Sequence, residues 1–190
     1  MTRIIAGFAG SLALSVPGKG TRPTSDRVRE AIFSALDARG ALSGARVLDL
    51  YAGSGALGLE AASRGAEQVT LVERSPAAAA ACRKNAALVR GRAPKDRMLT
   101  VEVVTSPVQS FLSTHSLKWD IAFLDPPYDQ PEAELLLALS ALAPHLAGDA
   151  TVMLERSSRS SELAWPPGLT LERRKTYGDT ALWWLRVASD

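Results

Sequence analysis

The sequence has very little of the chemistry on which small metal-binding and disulfide-linked proteins depend. Its 190 residues include one cysteine, Cys82, and two histidines, His115 and His145. A single thiol excludes an internal disulfide framework and any multi-cysteine metal site, and two histidines leave few ligands for zinc. We therefore predict no metal site, and we interpret Cys82 as a buried core thiol.

Long apolar runs are also absent. No stretch approaches the roughly 20 apolar residues that a membrane helix needs. Residues 3–16 have the outline of a secretory signal, but glycines interrupt the apolar stretch and only one positive charge precedes it. The better interpretation is a β-hairpin with strands at 3–8 and 12–16. Because we see no targeting signal and the one thiol is unpaired, we expect a cytoplasmic protein.

An excess of either charge is absent overall but present locally. The chain has 22 basic and 20 acidic residues, a net charge of +2. Residues 1–48 nevertheless hold seven basic against three acidic side chains, and residues 83–97 hold six against one. Basic stretches of this kind contact phosphates without reading sequence. For residues 83–97, an ordinary solvated face is an equally good interpretation.

Strand and helix patterns alternate through the middle of the chain, which favours right-handed βαβ units and a parallel sheet. Strands are predicted at 46–51, 68–72, 99–104, 121–124, 151–155, 169–177 and 180–187. Helices are predicted at 27–38, 55–64, 76–89, 108–113 and 132–146. The last two strands form a hairpin, and a doubly wound sheet with this ending is typical of methyltransferases that use S-adenosylmethionine. We predict a hairpin extension at 1–20 and a methyltransferase domain at 21–190.

A glycine-rich segment follows the strand predicted at 46–51. Residues 49–58 read Asp-Leu-Tyr-Ala-Gly-Ser-Gly-Ala-Leu-Gly, and this G-x-G-x-x-G spacing predicts a loop that approaches a nucleotide closely. The Asp49 carboxylate can hold the cationic amino-acid group of a cofactor, whereas it would repel the pyrophosphate of a dinucleotide. Glu73 ends the next strand twenty positions after Gly53, the spacing of a ribose-binding carboxylate. The alternative is a glycine-rich turn with a surface glutamate.

The sequence Asp-Pro-Pro-Tyr at 125–128 directly follows the apolar strand at 121–124. A simple strand-ending turn is the alternative interpretation. An acid, two prolines and an aromatic in this order resemble the signature of methyltransferases that act on exocyclic amino groups. Such an amine is a poor nucleophile because its lone pair is delocalised into the ring. Asp125 and the Pro126 carbonyl can each accept one N–H, and Tyr128 offers a face for a base taken out of its stack.

Taken together, these motifs resemble the RsmD-type family of bacterial 16S ribosomal RNA guanine-N2 methyltransferases. The resemblance spans nearly the whole chain in the family's order. The matching segments are 3–7, 22–33, 49–61, 72–73, 125–128 and 175–180. The glycine loop and Asp-Pro-Pro-Tyr indicate the broad class, whereas the Arg-Pro-Thr helix start and the closing Tyr-Gly turn indicate the family.

The resemblance implies a class I, Rossmann-like α/β fold and methyl transfer from S-adenosylmethionine to N2 of one guanine, with no metal. The residues implied to bind the cofactor are Asp49, Tyr51, Ala52, Gly53, Ser54, Gly55, Glu73, Arg74, Ser106, Pro107 and Asp125. The implied catalytic residues are Asp125, Pro126, Pro127 and Tyr128. The residues implied to bind RNA are Arg3, Arg22, Thr24, Arg27 and Arg29, although the N-terminal arm has the alternative of closing over the cofactor.

The implied partner is 16S rRNA, in the small ribosomal subunit or in an assembly intermediate, and the protein is expected to be a monomer without membrane contact. In one place the chain departs from its class. An Asp or Asn often follows the third core strand and reads the adenine amine, whereas this chain has Ser106, which we expect to substitute directly or through a nearby backbone group.

Three other functions remain open on the sequence. A DNA adenine-N6 or cytosine-N4 methyltransferase would use the same Asp-Pro-Pro-Tyr chemistry, but such enzymes usually carry a separate target-recognition domain. A nicotinamide-dependent oxidoreductase would use the glycine loop and leave Asp-Pro-Pro-Tyr unexplained. A non-catalytic RNA-binding domain would have no need of an intact amine-binding motif.

Overall fold

The computed structural model describes residues 2–16 and 25–188, and its framework is a seven-stranded sheet. A separate two-stranded sheet consists of β1 (Thr2–Arg3) and β2 (Ala13–Leu14). The strands of the main sheet are β3 (Arg46–Asp49), β4 (Gln68–Glu73), β5 (Thr100–Thr105), β6 (Trp119–Leu124), β7 (Leu146–Ser157), β8 (Leu169–Tyr177) and β9 (Thr180–Val187). Its α-helices are α1 (Asp26–Asp37), α2 (Ala56–Arg64), α3 (Pro76–Arg90), α4 (Val108–Thr114) and α5 (Glu132–Leu142).

The main sheet has the strand order β5-β4-β3-β6-β7-β9-β8. Strands β3 to β7 are parallel, and β9 pairs antiparallel with both β7 and β8. The chain moves outward from β3 to β5 and then returns to place β6 beside β3. Open α/β sheets bind ligands at such a switch point, outside the carboxyl ends of the strands. The predicted fold class, including the closing hairpin, is confirmed.

Both faces of the sheet are covered, which explains why its central strands are apolar without alternation. Successive side chains point to opposite faces, so Val47 and Leu48 belong to two different core clusters. Trp183 and Trp184 divide in the same way, each 1% exposed. Cys82 is fully buried, as predicted.

The N-terminal hairpin is shorter than predicted. Only β1 and β2 pair as strands, and the strand character expected across 3–8 and 12–16 is wrong for most of those residues. Helix α2 supplies the physical reason, because it takes the backbone donors that a longer ladder would use. Glu60 accepts the amides of Ile5 and Ala6 at 2.6 and 3.0 Å, and Ser63 Oγ accepts that of Ala9 at 2.9 Å. The domain boundary predicted at residue 20 lies outside the described residues.

Other differences lie at element ends. Helix α1 begins at Asp26, one residue earlier than predicted, and the Ser25 side chain caps it by accepting the Val28 amide at 3.2 Å. Helix α5 ends at Leu142 instead of 146, and a 3-10 turn containing Pro144 follows it, because proline removes a backbone donor. Strand β7 then begins at Leu146, five residues earlier than the pattern indicated.

Candidate active site

The glycine-rich loop connects β3 to α2 at the carboxyl edge of the sheet. Gly53 and Gly55 have φ angles of +54° and +81°, in the left-handed region that side chains other than glycine rarely adopt. The Gly55 amide closes the turn by donating to the Ala52 carbonyl at 2.6 Å. Helix α2 begins at the next residue, so its N-terminal amides and the positive end of its dipole lie beside the loop.

Asp49 lies at the base of this loop and is 1% exposed. Its Oδ2 accepts the Gly58 amide at 3.1 Å, whereas Oδ1 is buried with no hydrogen-bond partner in the described parts of the chain. Burial raises the pKa of Asp49 to about 7 and the negative charges of Asp125 and Glu73 add to this, whereas the backbone amides of Gly58 and Tyr51 oppose it. A buried carboxylate with one unused oxygen is a site that a positive group would stabilise.

Glu73 holds the loop from the neighbouring strand. Its Oε2 accepts the Gly53 amide at 2.9 Å and its Oε1 accepts the Ser75 amide at 2.7 Å. Each carboxylate oxygen has a second lone pair, so both remain able to accept a ligand hydroxyl. The spacing seen in the sequence thus corresponds to a contact between the glutamate and the loop itself.

The remaining predicted cofactor residues lie at the same edge. Ser106 follows β5, and its amide donates to the Glu73 carbonyl at 3.2 Å. The Ser106 hydroxyl donates to the carbonyl of Pro107, the residue that precedes α4. Arg74 is exposed next to Glu73. The assignment of Ser106 to the adenine ring stays a prediction.

The Asp-Pro-Pro-Tyr segment emerges beside the glycine loop because β3 and β6 are parallel neighbours. Asp49 is opposite Phe123 in their register, and the chain reaches Asp125 two residues later. Gln130 ties the two loops together by donating from Nε2 to the Tyr51 hydroxyl at 2.9 Å. The structure therefore brings together the two motifs that the sequence identified 76 residues apart.

Next to this segment lies a concave surface. The residues that line it include Pro126, Tyr128, Glu155, Ser157 and Ser160. Pro126 is buried, while Tyr128 is 53% exposed and presents its ring at the rim. The Tyr128 hydroxyl donates to Glu155 Oε1 at 3.4 Å, and it lies 3.3 Å from Thr180 Oγ1 at the tip of the closing hairpin.

The residues predicted to bind RNA have different positions. Arg3 and Arg27 are exposed, and Arg3 lies 3.5 Å from Asp26. Arg29 contradicts its prediction, since its side chain is fully buried. It donates to Asp26 at 2.7 Å and lies 4.0 Å from Glu60, so it links α1 to α2 instead of meeting a phosphate. The predicted residues 22 and 24 lie outside the described parts of the chain.

The basic stretch at 83–97 is a mixture of exposed and engaged side chains. Arg83 donates to Thr105 Oγ1 at 2.6 Å. Arg97 lies over the Phe8 ring at 5.0 Å and donates to carbonyls of α2 and of the turn after it. The other four basic side chains of this stretch are exposed, which fits either of its two interpretations.

A family model described as "Conserved hypothetical protein 95" matches residues 2–186. Ribosomal RNA small subunit methyltransferase D of Escherichia coli K12 is 36% identical over 180 residues, which cover 94% of this chain and 86% of that protein. The chain belongs to the RsmD-type methyltransferase family. A relative of the same name in Haemophilus influenzae is 33% identical and covers 93% of this chain and 89% of its own length.

The family's fold is shared by a solved structure titled "Putative methyltransferase yhhF from Escherichia coli". It is 32% identical, covers 98% of this chain and 97% of its own, and superposes with a TM-score of 0.83. The likeness therefore extends over nearly the whole chain. The family assignment made from the motifs is confirmed.

Sequence reasoning missed several side chains that complete the site of this family member. Gln130 and Glu155 flank the Asp-Pro-Pro-Tyr segment, and Asn85 of α3 bonds to the Ser54 carbonyl in the glycine loop at 2.8 Å. Of these three, only Asn85 could have been found from the sequence. It is an uncharged amide in an alanine-rich helix, on the same face as Cys82 and Val89. The others are polar residues near strand ends, where polarity needs no explanation.

The described residues, 2–16 and 25–188, contain neither a candidate metal site nor a candidate membrane span. In that part of the chain, no group of three or more His, Cys, Asp or Glu side chains is arranged to hold a metal ion. No helix there is long and apolar enough to cross a membrane.

Proposed function

We propose that this protein transfers a methyl group from S-adenosylmethionine to the exocyclic N2 amine of a guanine in 16S rRNA. The observation that carries the proposal is the adjacency of the two motifs at one sheet edge. The glycine loop follows β3 and Asp-Pro-Pro-Tyr follows β6, the strand beside it. A methyl donor held by the first loop would lie next to an amine held by the second.

The residues around the glycine loop fit S-adenosylmethionine. Asp49 offers an unused, buried carboxylate oxygen to a positive group. Glu73 offers lone pairs to the ribose hydroxyls, and the left-handed glycines leave the backbone open to close approach. When bound, this cofactor supplies a methyl group attached to a positively charged sulfur. The methyl carbon is the atom that an amine nitrogen can attack.

Asp125 and the Pro126 carbonyl would orient that amine. Each accepts one N–H, which directs the nitrogen lone pair away from the two acceptors and favours the charge that develops on nitrogen. The fixed φ angles of Pro126 and Pro127 hold the carbonyl direction. The exposed ring of Tyr128 would stack on the extruded base.

The names of two relatives support the assignment of the substrate. Relatives from Escherichia coli and Haemophilus influenzae bear the name of ribosomal RNA small subunit methyltransferases. A ribosomal target agrees with the cytoplasmic location expected from the sequence. The exposed Arg3 and Arg27 would contact its phosphates. A monomer is the expected form. Because a chain of 190 residues has little surface with which to read an RNA site by itself, an assembled subunit or assembly intermediate suits it as the substrate.

The test is incubation of the purified protein with methyl-labelled S-adenosylmethionine and small ribosomal subunits from a strain that lacks its gene. Genomic DNA is treated in parallel, and the labelled nucleoside is identified by mass spectrometry. We expect N2-methylguanosine from the subunits. Label confined to N6-methyladenine or N4-methylcytosine in DNA would instead support the DNA methyltransferase hypothesis, and no label in either would contradict both.

A separate binding experiment tests the cofactor assignment. Glu73→Ala removes both loop contacts and the ribose acceptors, so we expect affinity for S-adenosylhomocysteine to fall at least tenfold in isothermal titration calorimetry. Glu102→Ala removes an exposed carboxylate from β5, the strand beside Glu73, and serves as the matched control. Unchanged affinity in Glu73→Ala would contradict the ribose assignment. Stabilisation by NAD and not by S-adenosylhomocysteine would favour an oxidoreductase.

A further inference from the structure

Glu155 is a buried carboxylate that forms one wall of the concave surface beside Asp-Pro-Pro-Tyr. The residue is 4% exposed and lies near the carboxyl end of β7. Carboxylates are rarely buried to this degree without a partner or a function. The Tyr128 hydroxyl donates to Glu155 Oε1 at 3.4 Å, so the carboxylate contacts the aromatic residue of the Asp-Pro-Pro-Tyr segment.

The strand register places Glu155 beside Asp125. Strands β6 and β7 are parallel, with Leu124 opposite Leu154, so Asp125, the first residue after β6, follows beside Glu155 of β7. Leu124 and Leu154 both enter the same core cluster, and the following pair therefore shares the other face of the sheet. Neighbouring strands are about 4.8 Å apart, so two hydrogen-bond acceptors stand side by side at this edge.

Guanine carries two adjacent donors that match such a pair of acceptors. Its N2 amine and its N1–H lie next to each other on the Watson–Crick edge, whereas adenine presents an unprotonated N1. An ionised carboxylate only accepts hydrogen bonds, so it attracts the guanine N1–H and repels a nitrogen lone pair. A site that contains a buried polar group rejects the analogue that leaves the group unpaired.

We propose that Glu155 accepts the N1–H of the target guanine and thereby selects guanine among bases that carry an exocyclic amine. This inference rests on the proposed function and assigns the specificity of the same site. Asp125 and Pro126 hold the reacting amine, and Glu155 reads the neighbouring proton. Tyr128, bonded to Glu155, holds its ring against the base whose edge is being read.

The test uses small subunits reconstituted with 16S rRNA in which the target guanosine is replaced by 2,6-diaminopurine riboside. This base keeps the N2 amine and lacks the N1–H. Charged hydrogen bonds of this kind contribute enough for a 10- to 100-fold effect, so we expect the wild-type protein to favour guanine at least tenfold in kcat/KM. Equal rates on both bases in the wild-type protein would overturn the inference without any variant.

Two variants separate reading of the base from support of Tyr128. In Glu155→Gln, the amide can donate to an unprotonated N1, and we expect the guanine preference to shrink to about one or to reverse. Tyr128→Phe removes only the hydroxyl bonded to Glu155, so we expect both rates to fall together with the preference retained. A Glu155→Gln protein that keeps the wild-type preference would show a structural role only. Absence of N2-methylguanosine from wild-type reactions would instead contradict the proposed function itself.

Discussion

The side-chain amide of Asn85 hydrogen bonds to both backbone groups of Ser15, which lies 70 residues away in the sequence. Oδ1 accepts the Ser15 amide and Nδ2 donates to the Ser15 carbonyl, both at 2.8 Å. The second Nδ2 proton goes to the Ser54 carbonyl, also at 2.8 Å. One fully buried amide therefore connects the N-terminal segment, α3 and the glycine loop.

Replacing this amide should weaken both stability and cofactor binding. Asn85→Ala leaves three backbone groups without their partner, and we expect the free energy of unfolding to fall by about 2–4 kcal/mol in urea titrations. Because Ser54 loses its anchor, affinity for S-adenosylhomocysteine should fall about tenfold. Lys84→Ala changes the exposed neighbour and should leave both quantities unchanged. A stable Asn85→Ala protein with wild-type affinity would disprove the connection.

Two glycines of the G-x-G-x-x-G motif, Gly53 in the loop and Gly58 in α2, should respond very differently to alanine. At Gly58, a Cβ would lie 2.3 Å from Leu71 Cδ2 and 3.1 Å from Val69 Cγ1, so the buried Leu71 side chain would have to shift or α2 would have to move away from β4. At Gly53, nothing lies within 4 Å, and only the left-handed φ opposes a side chain. We expect thermal unfolding to show a loss of about 1 kcal/mol for Gly53→Ala and at least twice that for Gly58→Ala. Equal losses of stability in the two variants would mean that α2 accommodates the added methyl group at no extra cost.

The raised pKa of Asp49, about 7, predicts a pH dependence of stability. The unfolded chain releases this proton near pH 4, whereas the ligand-free folded protein keeps it until about pH 7. Since the folded state binds more protons in that window, its stability falls as pH rises from about 4 to 7 and then levels off. A bound positive group would offset this loss of stability, because it favours the charged form of the carboxylate.

Asp49→Asn should remove this loss, because its amide oxygen still accepts the Gly58 amide. We expect the ligand-free variant to gain up to about 4 kcal/mol over the wild-type protein at pH 8 and to match it near pH 4. Urea unfolding across this pH range measures the difference. The same variant should bind S-adenosylmethionine more weakly, since it offers no charge to a positive group. A stability difference that is constant with pH would refute the assignment.

The fold was largely predictable because its signals are local. Apolar runs, glycine breaks and helix caps lie in the residues that form each element, and the closing strands Leu169–Tyr177 and Thr180–Val187 have the predicted bounds. The N-terminal hairpin failed for the opposite reason. Its backbone donors go to Glu60 and Ser63, which lie 54 or 55 residues further along the chain, and no local pattern indicates that partner.

The site divides in the same way. Asp49, Gly53 and Asp125 belong to contiguous motifs, and motif spacing identified them. Arg29 was misinterpreted, because a basic residue in a basic stretch gives no sign that Asp26 and a distant glutamate will bury it. Glu155 was missed because its function depends on strand order, which places β7 beside β6.

Asp125→Ala should separate catalysis from cofactor binding. Removing one acceptor of the amine takes away stabilisation of the developing charge, and we expect kcat for subunit methylation to fall by about 10²–10³. Affinity for S-adenosylhomocysteine should remain within a fewfold of wild type, because Glu73 and the glycine loop are untouched. Asp129→Ala, an exposed carboxylate of the same loop, is the matched control and should keep full activity. If cofactor affinity and kcat fell equally in Asp125→Ala, the carboxylate would belong to the cofactor site and would not orient the amine.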